Sequence, residues 1–229
     1  MRYSTILFDL DHTLYDADTA ADIAFETTLA SVGVLPTPEL LDAFVEINVD
    51  LWGKVEQGVL TPNEVRSLRF AQLIERGGFA ADPEAMGDAY VVGLGSNGEL
   101  YDGALAMLAE VAMDGTLALV TNGIGEVQRM RVARTDIGQF FDAIVISGEV
   151  GVAKPGSEIF DITFEQLGHP DKASTLIVGD SLSSDMRGGI DYGIATCLYA
   201  PNGSPETDLP ITHRITDLAE IPDIVAGRS

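Results

Sequence analysis

Apolar positions follow two different periods along this chain. Near the start, Ile6, Leu7 and Phe8 make a short continuous apolar run that reads as the end of a buried β-strand. From residue 16 to about residue 92 the spacing is helical instead. Asp18 or Thr19 is the expected cap of a helix carrying Ile23, Phe25 and Leu29, which Val32-Gly33-Val34-Leu35-Pro36 breaks. Leu40, Leu41, Phe44, Ile47, Leu51 and Val55 then predict a helix over 38–55. Thr61-Pro62-Asn63-Glu64 supplies an N-cap, a proline at the first helical position and an acidic first turn. That helix is expected to reach Arg76 and stop at Gly77-Gly78, with another short one after Asp82-Pro83. Gly93-Leu94-Gly95-Ser96-Asn97-Gly98 reads as a linker.

Past that point, helices and apolar strands alternate. Helices are predicted over 103–111, 126–137, 157–167 and 185–192, and strands over 116–120, 143–146, 175–178 and 194–199. The tail, 211–225, has room for one more short strand and helix. Such βα alternation predicts an α/β fold, a parallel sheet with helices on both faces, interrupted just after its first strand by the helical block.

Composition narrows the setting. Of 229 residues, 46% are apolar, enough to bury a core. No run is long enough for a membrane span, and Asp9 and Asp11 interrupt the only apolar stretch near the N-terminus, so neither membrane insertion nor a signal peptide is expected. Cys197, the sole cysteine, lies in an apolar run and reads as a buried inert thiol; a cytoplasmic location is the default. With 36 acidic residues against 13 basic ones, the net charge of −23 repels nucleic acid and anionic membranes and would suit a salty cytoplasm. An anionic substrate would therefore need local positive charge.

Chemistry gathers at the strand ends. Asp9 and Asp11 emerge after the first strand. Two like charges about 4 Å apart repel by about 4 kcal/mol at an effective dielectric near 20, so either a proton or a cation must separate them. Thr121-Asn122-Gly123 follows the second strand, Lys154-Pro155 comes after the third, and Gly179-Asp180-Ser181 with Asp185 follows the fourth. Singly, these are a turn, a loop lysine and a helix cap; in order, at the edge of the sheet where α/β proteins bind ligands, they form a constellation.

With FDLDHT, TNG, KP and GDSLSSD in sequence, the chain resembles the haloacid dehalogenase-like (HAD) hydrolase superfamily over nearly its whole length. The resemblance implies a Rossmann-like three-layer core at 1–15 and 95–229 and an all-α helical-bundle cap at 16–94. It also implies a Mg²⁺-dependent phosphatase acting on a small phosphomonoester. Asp9 resembles the nucleophile that becomes an aspartyl-phosphate, and Asp11 the general acid and base whose main-chain carbonyl binds Mg²⁺. Thr121 and Asn122 would hold phosphoryl oxygens, Lys154 would neutralise the phosphate, and Asp180 and Asp185 would complete the metal set with Asp9. A 2-haloacid dehalogenase shares the fold but needs no metal and has no task for Asp11 and Asp180. A phosphonatase would need a Schiff-base lysine in the cap, where Lys54 stands alone without a nucleophile pocket. A non-enzymatic phospho-acceptor domain would be shorter and uncapped. The branch that includes pyrimidine 5′-nucleotidases is the nearest likeness, and a monomer or homodimer is expected.

In the helical block, Arg66, Arg69 and Arg76 share one helical face. Arg66 and Arg76 are expected to pair with carboxylates such as Glu64 or Glu75. Arg69, beside Phe70, is placed near the cleft as a substrate-binding guanidinium.

Overall fold

A computed structural model of the chain describes residues 1–228. Strand β1 (Thr5–Phe8) leads into four helices: α1 (Ala17–Ser31), α2 (Pro38–Glu56), α3 (Pro62–Gly77) and α4 (Pro83–Ser96). Then come α5 (Ala104–Val111), β2 (Thr116–Thr121), α6 (Gly125–Thr135), β3 (Ala143–Ile146), the single turn α7 (Ser147–Val150) and α8 (Ser157–Gln166). The chain closes with β4 (Thr175–Gly179), α9 (Arg187–Tyr192), β5 (Ala195–Tyr199), β6 (His213–Ile215) and α10 (Ile221–Ala226).

All six strands are parallel, in the order β3-β2-β1-β4-β5-β6. Side chains alternate across β1, so Ile6 and Phe8 pack with Leu117, Leu119 and Leu176 on one face while Leu7 packs with Ala118, Val120 and Ile177 on the other. A strand buried on both faces needs apolar residues at every position, which is why Ile6-Leu7-Phe8 carries no polar alternation. The strand order reverses between β1 and β4, and in open α/β sheets that is where ligands bind.

Helices α1 to α4 have an apolar core of their own, built on Phe25, Phe44, Phe70, Leu73 and Tyr90. Thr61 opens α3 with the capping box expected of it, its backbone N–H donating to Glu64 Oε2 at 2.8 Å. Asp16, rather than Asp18 or Thr19, caps α1 by accepting from the Thr19 backbone N–H at 3.1 Å. The expected 126–137 helix stops at Thr135, because Asp136 turns left-handed with φ 56° and starts a 3₁₀ turn, Ile137–Phe140. Turn α7 has no counterpart among the expected elements; four residues, Ser-Gly-Glu-Val, are too few to show a period.

The larger correction concerns the glycine-rich stretch 93–98, which is helical as far as Ser96. A Cβ at Gly93 would lie 2.7 Å from the Ala24 Cβ of α1, and one at Gly95 would lie 2.7 Å from the Met130 sulfur of α6. These glycines let α4 sit close against both neighbours. The passage out of the block is shorter: Asn97 and Gly98, the latter at φ 84°. It runs beside the passage in. Asp16 donates its N–H to Glu99 at 2.8 Å, Tyr101 donates to Leu14 at 2.9 Å, and Tyr15 bridges Leu100. Among the described residues no helix is long and apolar enough to cross a membrane.

Candidate active site

Asp9 sits one residue past β1, and its N–H donates to Val178 in β4 at 3.0 Å, so the sheet ladder fixes its backbone. Asn122, just past β2, lines the cavity and commits both ends of its amide to the Lys154 backbone. Its Oδ1 accepts from the Lys154 N–H and its Nδ2 donates to the Lys154 carbonyl, both at 2.9 Å. That double bond pattern templates the loop after α7 and brings Lys154 inward. The Lys154 ammonium, 1% exposed, donates to Asp9 Oδ1 and to Asp185 Oδ1, each at 2.6 Å. Asp185 reaches it by folding back over the end of β4, where a Cβ on Gly179 would fall 2.3 Å from the Asp185 carboxylate carbon. The Ser181 N–H holds the other oxygen, Asp185 Oδ2, at 3.1 Å.

Asp180 completes the cluster. Asp9, Asp180 and Asp185 can each present an oxygen such that all lie within 4.8 Å of one another. Three carboxylates beside the one ammonium of Lys154 leave two negative charges in excess. The consequence shows in their protonation. Burial pushes the Asp9 carboxyl well above the usual range; Lys154 pulls it down, and Asp185 and Asp180 push it further up. Burial, with the charge of Asp185, lifts Asp180 to about 7. Burial alone would lower the Lys154 ammonium, but Asp185 and Asp9 outweigh it and the net shift is upward. A divalent cation with a taste for oxygen would cancel the excess charge, so the donor set suits Mg²⁺.

Asp11 stands apart from this cluster. Its carboxylate accepts from Arg131 Nη1 at 2.5 Å and from Gln128 Nε2 at 3.1 Å. Gln128 also donates to Thr121 Oγ1 at 2.8 Å, and Thr121 is fully buried behind the cavity wall. Neither Gln128 nor Arg131 was foreseen. The available signal was an Arg and a Gln three residues apart on the helix that starts directly after Thr121-Asn122-Gly123.

A cavity of about 540 Å³ opens above these groups. Asp9, Asp11, Lys154, Asp180 and Asp185 form its floor, and the helical block supplies the opposite wall with Phe25, Phe44, Val45, Val49 and Trp52.

Residues 6–199 match the family described as haloacid dehalogenase-like hydrolase. The chain belongs to that family. Among its relatives is the pyrimidine 5′-nucleotidase YjjG of Escherichia coli (strain K12), 31% identical over 98% of this chain and 99% of that one. The pyrimidine 5′-nucleotidase PynA of Streptococcus pneumoniae (strain ATCC BAA-255 / R6) is 32% identical over 88% of this chain and 86% of that one. YfnB of Bacillus subtilis, solved bound to magnesium and described as showing interdomain movement, superposes with a TM-score of 0.89 at 31% identity, covering 98% and 99% of the two chains.

In this haloacid dehalogenase-like hydrolase, the three arginines of α3 part ways. Arg66 pairs with Asp88 at 2.7 Å and Glu126 at 3.2 Å, and Arg76 with Glu46 at 2.9 Å, so both are charge-paired as expected but not with Glu64 or Glu75. Arg69 is 2% exposed and lines the cavity. Its Nε donates to the Val65 carbonyl at 3.0 Å, its guanidinium lies 5.1 Å from the Tyr90 ring centre, and among the described residues its Nη2 has no hydrogen-bond partner. Phe70 is not beside it in the cleft. It points into the core of the helical block, 5.4 Å from both Phe44 and Tyr90, and Tyr90 is the ring that shares the cavity with Arg69.

Proposed function

We propose that this hydrolase is a Mg²⁺-dependent phosphatase of small phosphomonoesters, with nucleoside 5′-monophosphates as the substrate class. The carrying observation is Lys154 held between Asp9 and Asp185 under an open cavity. Asp9 attacks phosphorus, the bond to the leaving oxygen breaks, and an aspartyl-phosphate results. Asp11 gives a proton to the departing oxygen. It then takes one from the water that attacks phosphorus and frees Asp9. Lys154 keeps Asp9 oriented and offsets charge on the phosphoryl oxygens. Asp9, Asp180 and Asp185 would hold the cation, joined by the main-chain carbonyl of Asp11. When bound, Mg²⁺ polarises the phosphoryl group. Thr121 and Asn122 serve this reading mainly through support: one anchors Gln128, the other the Lys154 loop. A dehalogenase would leave the excess charge of the carboxylate cluster without a purpose.

Residues 16–94 act as a cap whose position over the cavity sets specificity, an assignment supported by their separate core and by the interdomain movement described for YfnB. The cap wall sets the rings of Phe25, Phe44 and Trp52 beside the polar Asp18, Asp22, Asn48 and Glu56, and those rings suit a flat base. Arg69 Nη2 supplies one donor for a carbonyl or phosphate oxygen on the leaving group. The pyrimidine nucleotidase activity named for two relatives points the same way.

The test is a purified-enzyme panel of nucleoside 5′-monophosphates, sugar phosphates, p-nitrophenyl phosphate and 2-chloropropionate, each with Mg²⁺ and with EDTA. Hydrolysis should require Mg²⁺ and favour nucleotides. Metal-independent release of chloride, or a preference for sugar phosphates, would overturn the reading.

A further inference from the structure

Arg131 has no part in the roles assigned so far, yet it is 3% exposed and joins Asp11 to the helical block. Its Nη1 donates to Asp11 Oδ1 at 2.5 Å and to Gln128 Oε1 at 3.2 Å. Its Nε donates to the carbonyl of Leu94 in cap helix α4 at 3.1 Å. Its guanidinium carbon stacks 4.7 Å from the ring centre of Tyr15, in the passage between core and cap. Four partners on three segments fix the plane of the guanidinium. Asp11, in contrast, is itself partly exposed to the cavity and follows a strand that has already ended. Gln128 is its other side-chain donor here, and Gln128 is in turn fixed by Arg131 and Thr121.

We infer that Arg131 is the positioning residue for Asp11: it sets the direction of the carboxylate that exchanges a proton with the leaving oxygen, and its bond to Leu94 ties that direction to the placement of the cap. The inference rests on the phosphatase reading above. It concerns only the proton transfer, in which the proton leaves the Asp11 carboxyl, the bond from phosphorus to the leaving oxygen breaks, and that oxygen departs as an alcohol. An alkoxide cannot leave without the proton, whereas p-nitrophenolate can. The loss of a correctly placed acid must therefore depend on the leaving group. A lysine at 131 would keep the charge but not the flat fork that reaches Asp11 and Leu94 together.

The experiment measures the first chemical step by rapid quench, with uridine 5′-monophosphate and with p-nitrophenyl phosphate, in wild type, Arg131→Ala and Arg131→Lys. For Arg131→Ala the step should slow about 10²-fold or more with the nucleotide, the size expected of general acid catalysis, and by less than about 10-fold with the aryl ester. Arg131→Lys should fall between. In an Asp11→Asn background, Arg131→Ala should add no further selective loss. Equal losses on both esters in a folded Arg131→Lys protein, or a full extra loss in the Asp11→Asn background, would overturn the inference while leaving the phosphatase reading intact. Wild-type protein inert toward both esters would overturn both.

Discussion

Replacing Asp9 with asparagine removes an anionic oxygen and little else. Turnover should fall by at least about 10³-fold, since an amide cannot open the covalent route. In metal-free buffer the melting temperature should hold or rise, because one of three mutually repelling buried carboxyl groups is gone while Asp185 still pairs with Lys154. A cooperative melt well below wild type would show that Asp9 stabilises the fold instead. Asp180 carries a pH signature. Its carboxyl titrates near 7 when folded against 3.8 for the free group, so between those values the folded metal-free protein holds a proton the unfolded chain has released. Stability is fully present below the lower value and is lost as pH rises through the upper one. Mg²⁺ competes with that proton. The melting-temperature gain from Mg²⁺ should therefore be larger at about pH 7.5 than at about pH 5, and in Asp180→Ala the gain should shrink and lose that pH difference; an equal gain at both in the wild type would place the ion elsewhere. Arg69→Ala should raise KM for the preferred nucleotide while p-nitrophenyl phosphate, lacking the distal oxygen, changes little. Asp9, Asp11 and Asp180 were legible because they follow directly on strand ends, and Lys154 and Asp185 because they come a short, distinctive distance further along, after β3 and β4. Arg131 and Gln128 were not, because nothing local marks which face of α6 turns toward Asp11.

Helices show where local pattern suffices and where it misleads. The cap of α3 and the apolar rhythm of α2 follow directly from Thr61-Pro62-Asn63-Glu64 and from the spacing of Phe44, Ile47, Leu51 and Val55. In α4 the same logic fails. Glycine signals a break when only propensity is weighed, but here the absence of side chains is what allows contact with Ala24 and Met130, and tertiary packing outweighs the intrinsic cost of about 1 kcal/mol per glycine. Gly93→Ala separates the two effects. Propensity alone would stabilise the protein. The new methyl, however, would meet the Ala24 Cβ at 2.7 Å and the Ala24 Cα at 2.9 Å, neither of which can rotate away. Overpacking of this kind costs about 1–3 kcal/mol, so a net loss of stability is expected in chemical denaturation. A gain would mean that α4 and α1 can move apart freely. Removing the capping box with Thr61→Ala should cost about 1 kcal/mol on the same assay.

The whole molecule carries 23 more negative than positive charges. Repulsion among exposed carboxylates is screened by salt, whereas the buried pairing of Lys154 with Asp9 and Asp185 is not. Raising ionic strength from about 0.01 M to about 0.15 M shortens the screening length from about 30 Å to about 8 Å and should raise the melting temperature. A melting temperature indifferent to salt would mean that the surface charges are already locally compensated. At this scale the alternation of strands and helices was enough to read the parallel sheet and the inserted block, though not the route between them. Asp16 and Glu99 stand in direct hydrogen-bond contact, so helices α1 to α4 form an insert whose two ends touch. Recombination at that point can exchange one set of helices for another, and a short turn can close the gap without re-threading any strand. A lineage built this way can vary the helical wall of the cavity while the sheet and the residues at its strand ends are inherited unchanged.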